Sequence, residues 1–426
     1  MRAIGIDLGT TSLCGVLVDT DTGRVLRSLT KNSHAFLQGA YSWERIQSPE
    51  KIIAMARRIL EELLPEGAAA IGVTGQMHGI LYVDRQGQAV SPLYTWQDGR
   101  GNEPYQGVTY AQYLNSHSGY GHVTDFYNTV NGLIPPRAAG FCTIQDYLVM
   151  QLCGLKKPVI HASDAASFGC FNLEKRAFAR ACDLDVVFGY GTAGAFRGVP
   201  VSIAIGDNQA SVFSCLRDKN NLLINVGTGS QVSILSDQIV AGPGLETRPY
   251  VDETYLVVGS ALCGGRAYAV LKDFFARVLS YGQPVDDEQV YALMARMAQG
   301  LERSSLRVDP RFCGTRGDES LRGSIREISC ENFTPEELTW GLMEGMAKEL
   351  HDLYRLMGTE RRGIIASGNG IRRNPALQRA VERVFSAPLR IPAHTEEAAC
   401  GAALYALVAA GRCPTAQQAQ QMIHYQ

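Results

Sequence analysis

Residues 4–12 read Ile-Gly-Ile-Asp-Leu-Gly-Thr-Thr-Ser, and residues 222–230 read Leu-Leu-Ile-Asn-Val-Gly-Thr-Gly-Ser. Each is an apolar strand with one polar Asp or Asn near its end, followed by a glycine turn rich in hydroxyls. Seven of the nine positions match in character, and the second copy begins about half a chain after the first. Two strand-to-glycine-turn units opening two half-chains are what a duplicated domain leaves behind. The 426 residues also exceed what one compact core organises, so the chain reads as two α/β halves.

The rest of the pattern fits that division. In the first half Arg24–Thr30 continues the strand pattern. Ser48-Pro49 starts a helix through Leu64, with Ile52, Ile53, Ala56, Ile59, Leu60 and Leu63 as its apolar stripe. Ala70–Val73 and Gly79–Val83 read as strands. Residues 99–125, rich in Gly, Asn, Tyr and His, read as an irregular excursion. In the second half Tyr255–Gly259 is a strand leading into a helix, and Thr334-Pro335-Glu336-Glu337 is a capping box for a helix ending near Met357. Ile364–Ser367 is a short buried strand, and a last helix runs from Glu397 to Ala410 and stops at Gly411. The polar run Arg217–Asn221 marks the junction, giving domains 1–216 and 217–426.

Composition excludes several classes of function. Hydrophobic residues make up 46% and charged residues 19%, the balance of an ordinary folded protein. Net charge is -2, and no Lys/Arg run exceeds two residues, so the electrostatic footprint of a nucleic-acid binder is missing. No apolar stretch approaches the roughly 18–20 residues needed to span a bilayer. The N-terminus enters a strand pattern without an apolar leader. Eleven Cys are scattered from Cys14 to Cys413 with no CxxC pair. That spacing suits neither zinc nor a disulfide framework, and points to reduced thiols in the cytoplasm.

In Asp7-Leu8-Gly9-Thr10-Thr11-Ser12 small residues expose backbone N–H groups, hydroxyls add donors, and Asp7 at the strand end can hold Mg²⁺ directly or through water. A plain β-hairpin turn would use the same residues. The second copy, Gly227-Thr228-Gly229-Ser230, favours a pair of phosphate turns, although no Walker A loop occurs. Asp207, in Gly206-Asp207-Asn208-Gln209, follows an apolar run and stands where a strand ends and a helix starts. A helix N-cap would also place an Asp there. Gly75–Gly79 and Trp96–Arg100 gather Gln76, Met77, His78, Trp96, Asp98 and Arg100, a set of hydrogen-bonding groups and an aromatic face that suits a polyhydroxylated ligand.

Taken in order, the segments GIDLGTTS, GVTGQMHGI, TWQDGR, SDAASFG, GDNQAS, NVGTGSQ, EGMAKEL, ASGNGIRRNP and EEAACGAALYA make the whole chain resemble the FGGY carbohydrate kinases. The resemblance implies an α/β fold of two ribonuclease-H-like, actin-like ATPase domains around an inter-domain cleft, with sugar mainly on the N-terminal side and ATP on the C-terminal side. It implies Asp207 as catalytic base, also touching substrate, and Asp7 as a catalytic carboxylate that meets Mg²⁺. Gly9, Thr10, Thr11, Ser12, Gly227, Thr228, Gly229 and Ser230 would bind ATP phosphates. Gly368, Asn369, Gly370 and Asn374 would line the adenosine pocket, although GNGIRRN departs from the commoner GGG-type run. Gln76, Met77, His78, Trp96, Asp98, Arg100 and Gln231 would line the sugar pocket.

Within the family, TWQDGR, the 144–172 segment and Gln231 after the second turn lean toward the sedoheptulose-phosphorylating branch. Xylulose or ribulose is the alternative substrate. An actin- or chaperone-like ATPase would not need the QMHG and WQDGR segments, and a non-catalytic sugar sensor would be expected to lose Asp207 or the turns. The expected partners are a sugar, ATP and a second copy of the chain in a homodimer, with neither nucleic acid nor membrane.

Overall fold

The computed structural model describes residues 1–179, 184–315, 317–318 and 320–426, which form two compact units. The first comprises Met1–Arg217, Arg248–Thr254 and His394–His424, and the second the intervening segments with the last two residues.

In the first unit the Arg2–Leu8 strand is central. It turns at Gly9 and pairs antiparallel with Ser12–Asp19, in register Leu8 to Leu13, and that strand pairs in turn with Val25–Asn32. On its other side Arg2–Leu8 pairs in parallel with Ile71–Gly75, beyond which lie Val199–Ser202 and Thr192–Phe196. Ile4, Ile6 and Leu8 have no exposed surface, and side chains from both strand faces are covered, as a sheet flanked by helices requires. The Pro49–Leu63 helix starts where Ser48 accepts the Lys51 N–H at 3.2 Å, and it lays the expected stripe on the sheet. Glu397–Ala409 packs closely against the central strands. A Cβ on Gly5 or Gly72 would lie 1.8 or 1.9 Å from a carbonyl oxygen of this helix. The small residues of Ala398-Ala399-Cys400-Gly401-Ala402-Ala403 allow that approach. Sequence order assigned this helix to 217–426, but the chain returns and packs it into the first unit.

The second unit repeats the arrangement. Asn221–Val226 turns at Gly227, pairs antiparallel with Ser230–Ser236 (Val226 to Ser230) and in parallel with Gly363–Ser367. Tyr255–Ala261 continues the sheet on one side and Leu389–Arg390 on the other. Helices Gly265–Ser280, Pro335–Leu356 and Pro375–Phe385 cover it. The order of strands around the central hairpin is therefore the same in both units.

Two local expectations are corrected. Residues 99–125 do not form an irregular excursion. Pro104–Tyr105 pairs with Val108–Thr109, Thr109 caps a helical turn with Gln112, and Tyr105, Tyr110, Tyr113, Phe126 and Tyr127 stack edge-to-face into a small aromatic core. Aromatic packing without period 2 or 3.6 gives no pattern to read. At Thr334 the cap forms, but its reciprocal half does not, because the Glu337 carboxylate instead accepts from Ser304 and Ser305.

Candidate functional site

Both turns follow from the hairpins just described. In the first unit, Asp7 stands one residue before the end of the central strand, across from Thr74 in the parallel neighbour. Its Oδ1 is buried and accepts no hydrogen bond from the described residues. Burial pushes its carboxyl up to about 7, with the charges of Asp207 and Glu396 pushing the same way. A carboxylate in such a place requires a proton or a cation, and the hard oxygen donor suits Mg²⁺.

Beside it, Thr10 organises a closed set of hydrogen bonds. Its hydroxyl donates to Gln76 Oε1 (3.3 Å) and accepts the Trp96 indole N–H (3.0 Å). Gln76 Nε2 donates to Gln47 Oε1 (2.9 Å), and Gln47 Nε2 returns to the Thr10 carbonyl (2.6 Å). The phosphate-turn candidate thus shares a network with two of the sugar candidates. Trp96 is 47% exposed, which leaves apolar surface open to solvent.

Asp207 is the first residue of the Asp207–Cys215 helix. The short strand Ile205–Gly206 before it pairs beside Thr74–Gly75, and Thr74 Oγ1 donates to the Ile205 carbonyl at 2.7 Å. Burial raises the Asp207 carboxyl to about 6, against the opposing pull of Arg248 and the Asn208 backbone N–H. Met77 packs its thioether at Gly206, where an added Cβ would lie 2.7 Å from Sδ. His78 takes a positive φ of 74° and stacks on Tyr120 with ring centroids 4.1 Å apart.

Asp98 and Arg100 differ from expectation. Their side chains are almost wholly buried. Arg100 Nε and Nη2 donate to the two Asp98 oxygens (2.6 and 3.3 Å), Nη1 donates to Asn128 Oδ1 (2.6 Å), and the guanidinium lies 4.1 Å from the Tyr94 ring centroid. Asp98 also accepts the Arg45 N–H at 3.0 Å. The pair fastens the loop that carries Trp96 and offers no accessible polar atom to a sugar.

In the second unit, the carbonyls of Gly227 and Thr228 accept the N–H groups of Gly265 (2.8 Å) and Arg266 (3.0 Å), the first turn of the next helix. A Cβ on Gly264 would strike the Gly229 carbonyl at 2.3 Å. Asn225, the counterpart of Asp7, donates to Ser367 Oγ at 2.8 Å. Ser230 is buried, and Gln231 pairs with Asn225 and Ser260 across the hairpin and its neighbour. Gly368, at φ 85°, and Gly370 leave room for the Val226 carbonyl. Asn369 opens a short helix, and Asn374 caps the next one by accepting the Leu377 N–H at 3.1 Å.

Sequence reasoning missed Gln47, Arg248 and Glu396. Glu396 stands in a segment that carried the resemblance. The other two come from elements remote in sequence and give no local signal. Among the described residues no cluster of three or more His, Cys, Asp or Glu makes a closed metal site, and no helix is long and apolar enough to cross a membrane.

Residues 2–184 match the N-terminal domain of the FGGY family of carbohydrate kinases, and residues 222–410 match its C-terminal domain. The chain belongs to that family. It is 30% identical to sedoheptulokinase of Mus musculus over 95% of this chain and 97% of the other. It is 24% identical to a xylulose kinase of Staphylococcus epidermidis, over 96% and 88%. The fold is that of the xylulose kinase from Rhodospirillum rubrum (TM-score 0.86, 19% identity, 100% and 93% covered). The protein is accordingly a carbohydrate kinase, a phosphotransferase of the actin-like ATPase fold, and kinases of this family use ATP as phosphate donor.

Proposed function

We propose that this kinase transfers the γ-phosphoryl group of MgATP to the terminal hydroxyl of a ketose, sedoheptulose before xylulose or ribulose. The observation that carries the mechanism is the placement of Asp207: a carboxyl at a helix start, one residue after Gly206 where Met77 packs, whose charge opposes ionisation of Asp7. A primary alcohol does not ionise near neutral pH. Asp207 orients it and accepts its proton as the O–P bond forms, so the hydroxyl oxygen gains phosphorus while ADP leaves. Asp7 would hold the cation, which would supply charge neutralisation on the phosphates. Gly9–Ser12 and Gly227–Ser230 bind phosphate oxygens, and Gly368–Asn374 border the adenosine. Gln76, Met77, His78, Trp96 and Gln231 shape the sugar side, with Trp96 stacking on its C–H face. Asp98 and Arg100 act at one remove by fixing the Trp96 loop.

Sedoheptulose comes first because relatives 28–30% identical over 95% of this chain are named for it, and because a polar Gln231 after the second turn suits a longer, more hydroxylated substrate. Cytoplasmic residence, argued from the scattered cysteines, and a homodimer belong to the same proposal. The test is ADP release coupled to NADH oxidation, with sedoheptulose, xylulose, ribulose and glycerol each compared at saturating MgATP. A site built to hydrogen-bond hydroxyls rejects analogues that lack them, so sedoheptulose should exceed glycerol by about 10² or more in kcat/KM. Xylulose exceeding sedoheptulose would move the assignment to a pentulose kinase. Glycerol matching the ketoses would sink the ketose reading.

A further inference from the structure

Ser163–Gly169, the SDAASFG segment, carries part of the family resemblance but has no role in the account above. It forms the short helix Ala162–Ser167, and its two serines reach two different parts of the site. Ser163 Oγ accepts the Gly206 N–H at 3.0 Å, one residue before Asp207. It also lies 2.8 Å from His161 Nδ1, which accepts the Ser163 N–H at 3.1 Å. Because that nitrogen already acts as an acceptor, the Ser163 hydroxyl donates to it and keeps its lone pairs for Gly206. Burial pulls the His161 imidazole down to about 4, so it stays neutral and in this role through the physiological range. With Thr74 gripping the Ile205 carbonyl from the other side, the backbone entering Asp207 is held at both of its polar groups.

Four residues along, Ser167 does the same for His78. Its Oγ accepts the His78 N–H at 3.1 Å and donates to the Asp164 carbonyl at 2.7 Å, while its carbonyl accepts the His78 Nδ1–H at 2.8 Å. A carbonyl can only accept, so in the neutral ring the proton sits on Nδ1 and Nε2 is the acceptor. These bonds also hold His78 at a positive φ, which a non-glycine residue seldom adopts without support.

We propose that Ser163 and Ser167 are positioning residues that fix the spacing between the base Asp207 and the sugar-side His78, Ser163 acting on turnover and Ser167 on sugar binding. This inference rests on Asp207 being the base. Its test is a pair of single variants, each repeated in an Asp207→Asn background, with kcat, sugar KM and Tm measured on the fastest ketose of the panel above.

Small misplacements of a reacting group cost rate steeply, so Ser163→Ala should lower kcat roughly tenfold with sugar KM within about twofold. That effect should vanish in the Asp207→Asn background, because the two act as one unit. Ser167→Ala should raise sugar KM roughly tenfold with kcat within about threefold, since it releases His78 from its bound orientation. If Ser163→Ala does not fold, Ser163→Cys keeps the shape with a weaker acceptor and should show a smaller fall in kcat at unchanged KM. Equal losses from Ser163→Ala in both backgrounds would overturn the proposal. So would parallel changes in kcat, KM and Tm for both serines, which is the mark of general loosening. Wild-type turnover by Asp207→Asn would instead remove the base reading, and the Ser167 half would then stand or fall on its own KM.

Discussion

Asp7 stands near the end of the central strand of the first unit, and Asn225 stands at the same place in the second. The strands, the turns and the parallel neighbours around them correspond, yet the two side chains have opposite fates. Asn225 is neutral and satisfied by Ser367, and its turn is pinned through two carbonyls to the helix that follows. Asp7 is an acid whose buried Oδ1 accepts no hydrogen bond from the described residues, and Asp207 and Glu396 both push against its ionisation. One copy of the turn has become a rigid, neutral cradle. The other has accumulated carboxylates that only a cation or a proton can reconcile. On the proposed reading, a duplicated scaffold separates the cradling of an anionic phosphate by a neutral backbone turn from the chemistry that needs a carboxylate.

The sharpest way to break this comparison is at Asp207, which has no counterpart carboxylate in the second unit's turn. Asp207→Asn should lower kcat by a factor on the order of 10²–10⁴ with sugar binding retained, read by steady-state kinetics and by titration calorimetry. The cradle is tested at Gly264. In Gly264→Ala the new methyl meets the Gly229 carbonyl, so the ATP KM should rise by roughly 10–10² while sugar binding holds, as loss of a preformed anion-binding turn predicts. If the sugar KM rose instead, the second turn would not be the nucleotide side.

The smallest expected effect concerns Arg248. A general base must be unprotonated, so kcat/KM should fall as pH drops through about 6. Arg248 favours the charged form of Asp207, so Arg248→Met should move that acid limb to higher pH. A shift to lower pH, or none, would detach Arg248 from the base.

How much of this was legible in the sequence depended on how local the cause was. The two hairpins, the caps at Ser48 and Thr334, and Asp207 at a strand-to-helix junction are set by neighbouring residues, and they read directly. Asp98 and Arg100 read as ligands because their residue types suit a sugar. Their mutual ion pair and burial under Tyr94 depend on tertiary packing, which two residues in a turn do not disclose. Gln47, Arg248 and Glu396 reach the site from segments far along the chain. The helix Glu397–Ala409 packs with the first unit because its small residues let strand glycines approach, a complementarity visible only once both partners are placed.

The asymmetry of the two turns can be measured through cation binding alone, without turnover. In the fold the Asp7 carboxyl keeps its proton up to about 7, against 3.8 ordinarily. Folding therefore takes up a proton at Asp7 in that window, and the contribution of Asp7 to stability falls as pH rises from about 4 to about 7. Asp7→Asn removes this term, so in chelator at pH 8 its Tm should exceed that of the wild type, with the difference fading below about pH 4. Adding MgCl₂ at pH 8 should raise the wild-type Tm by a few degrees, as binding to the native state alone requires. It should leave Asp7→Asn unmoved and raise Asn225→Ala as much as wild type. A cation response that survives Asp7→Asn but is lost in Asn225→Ala would contradict the account.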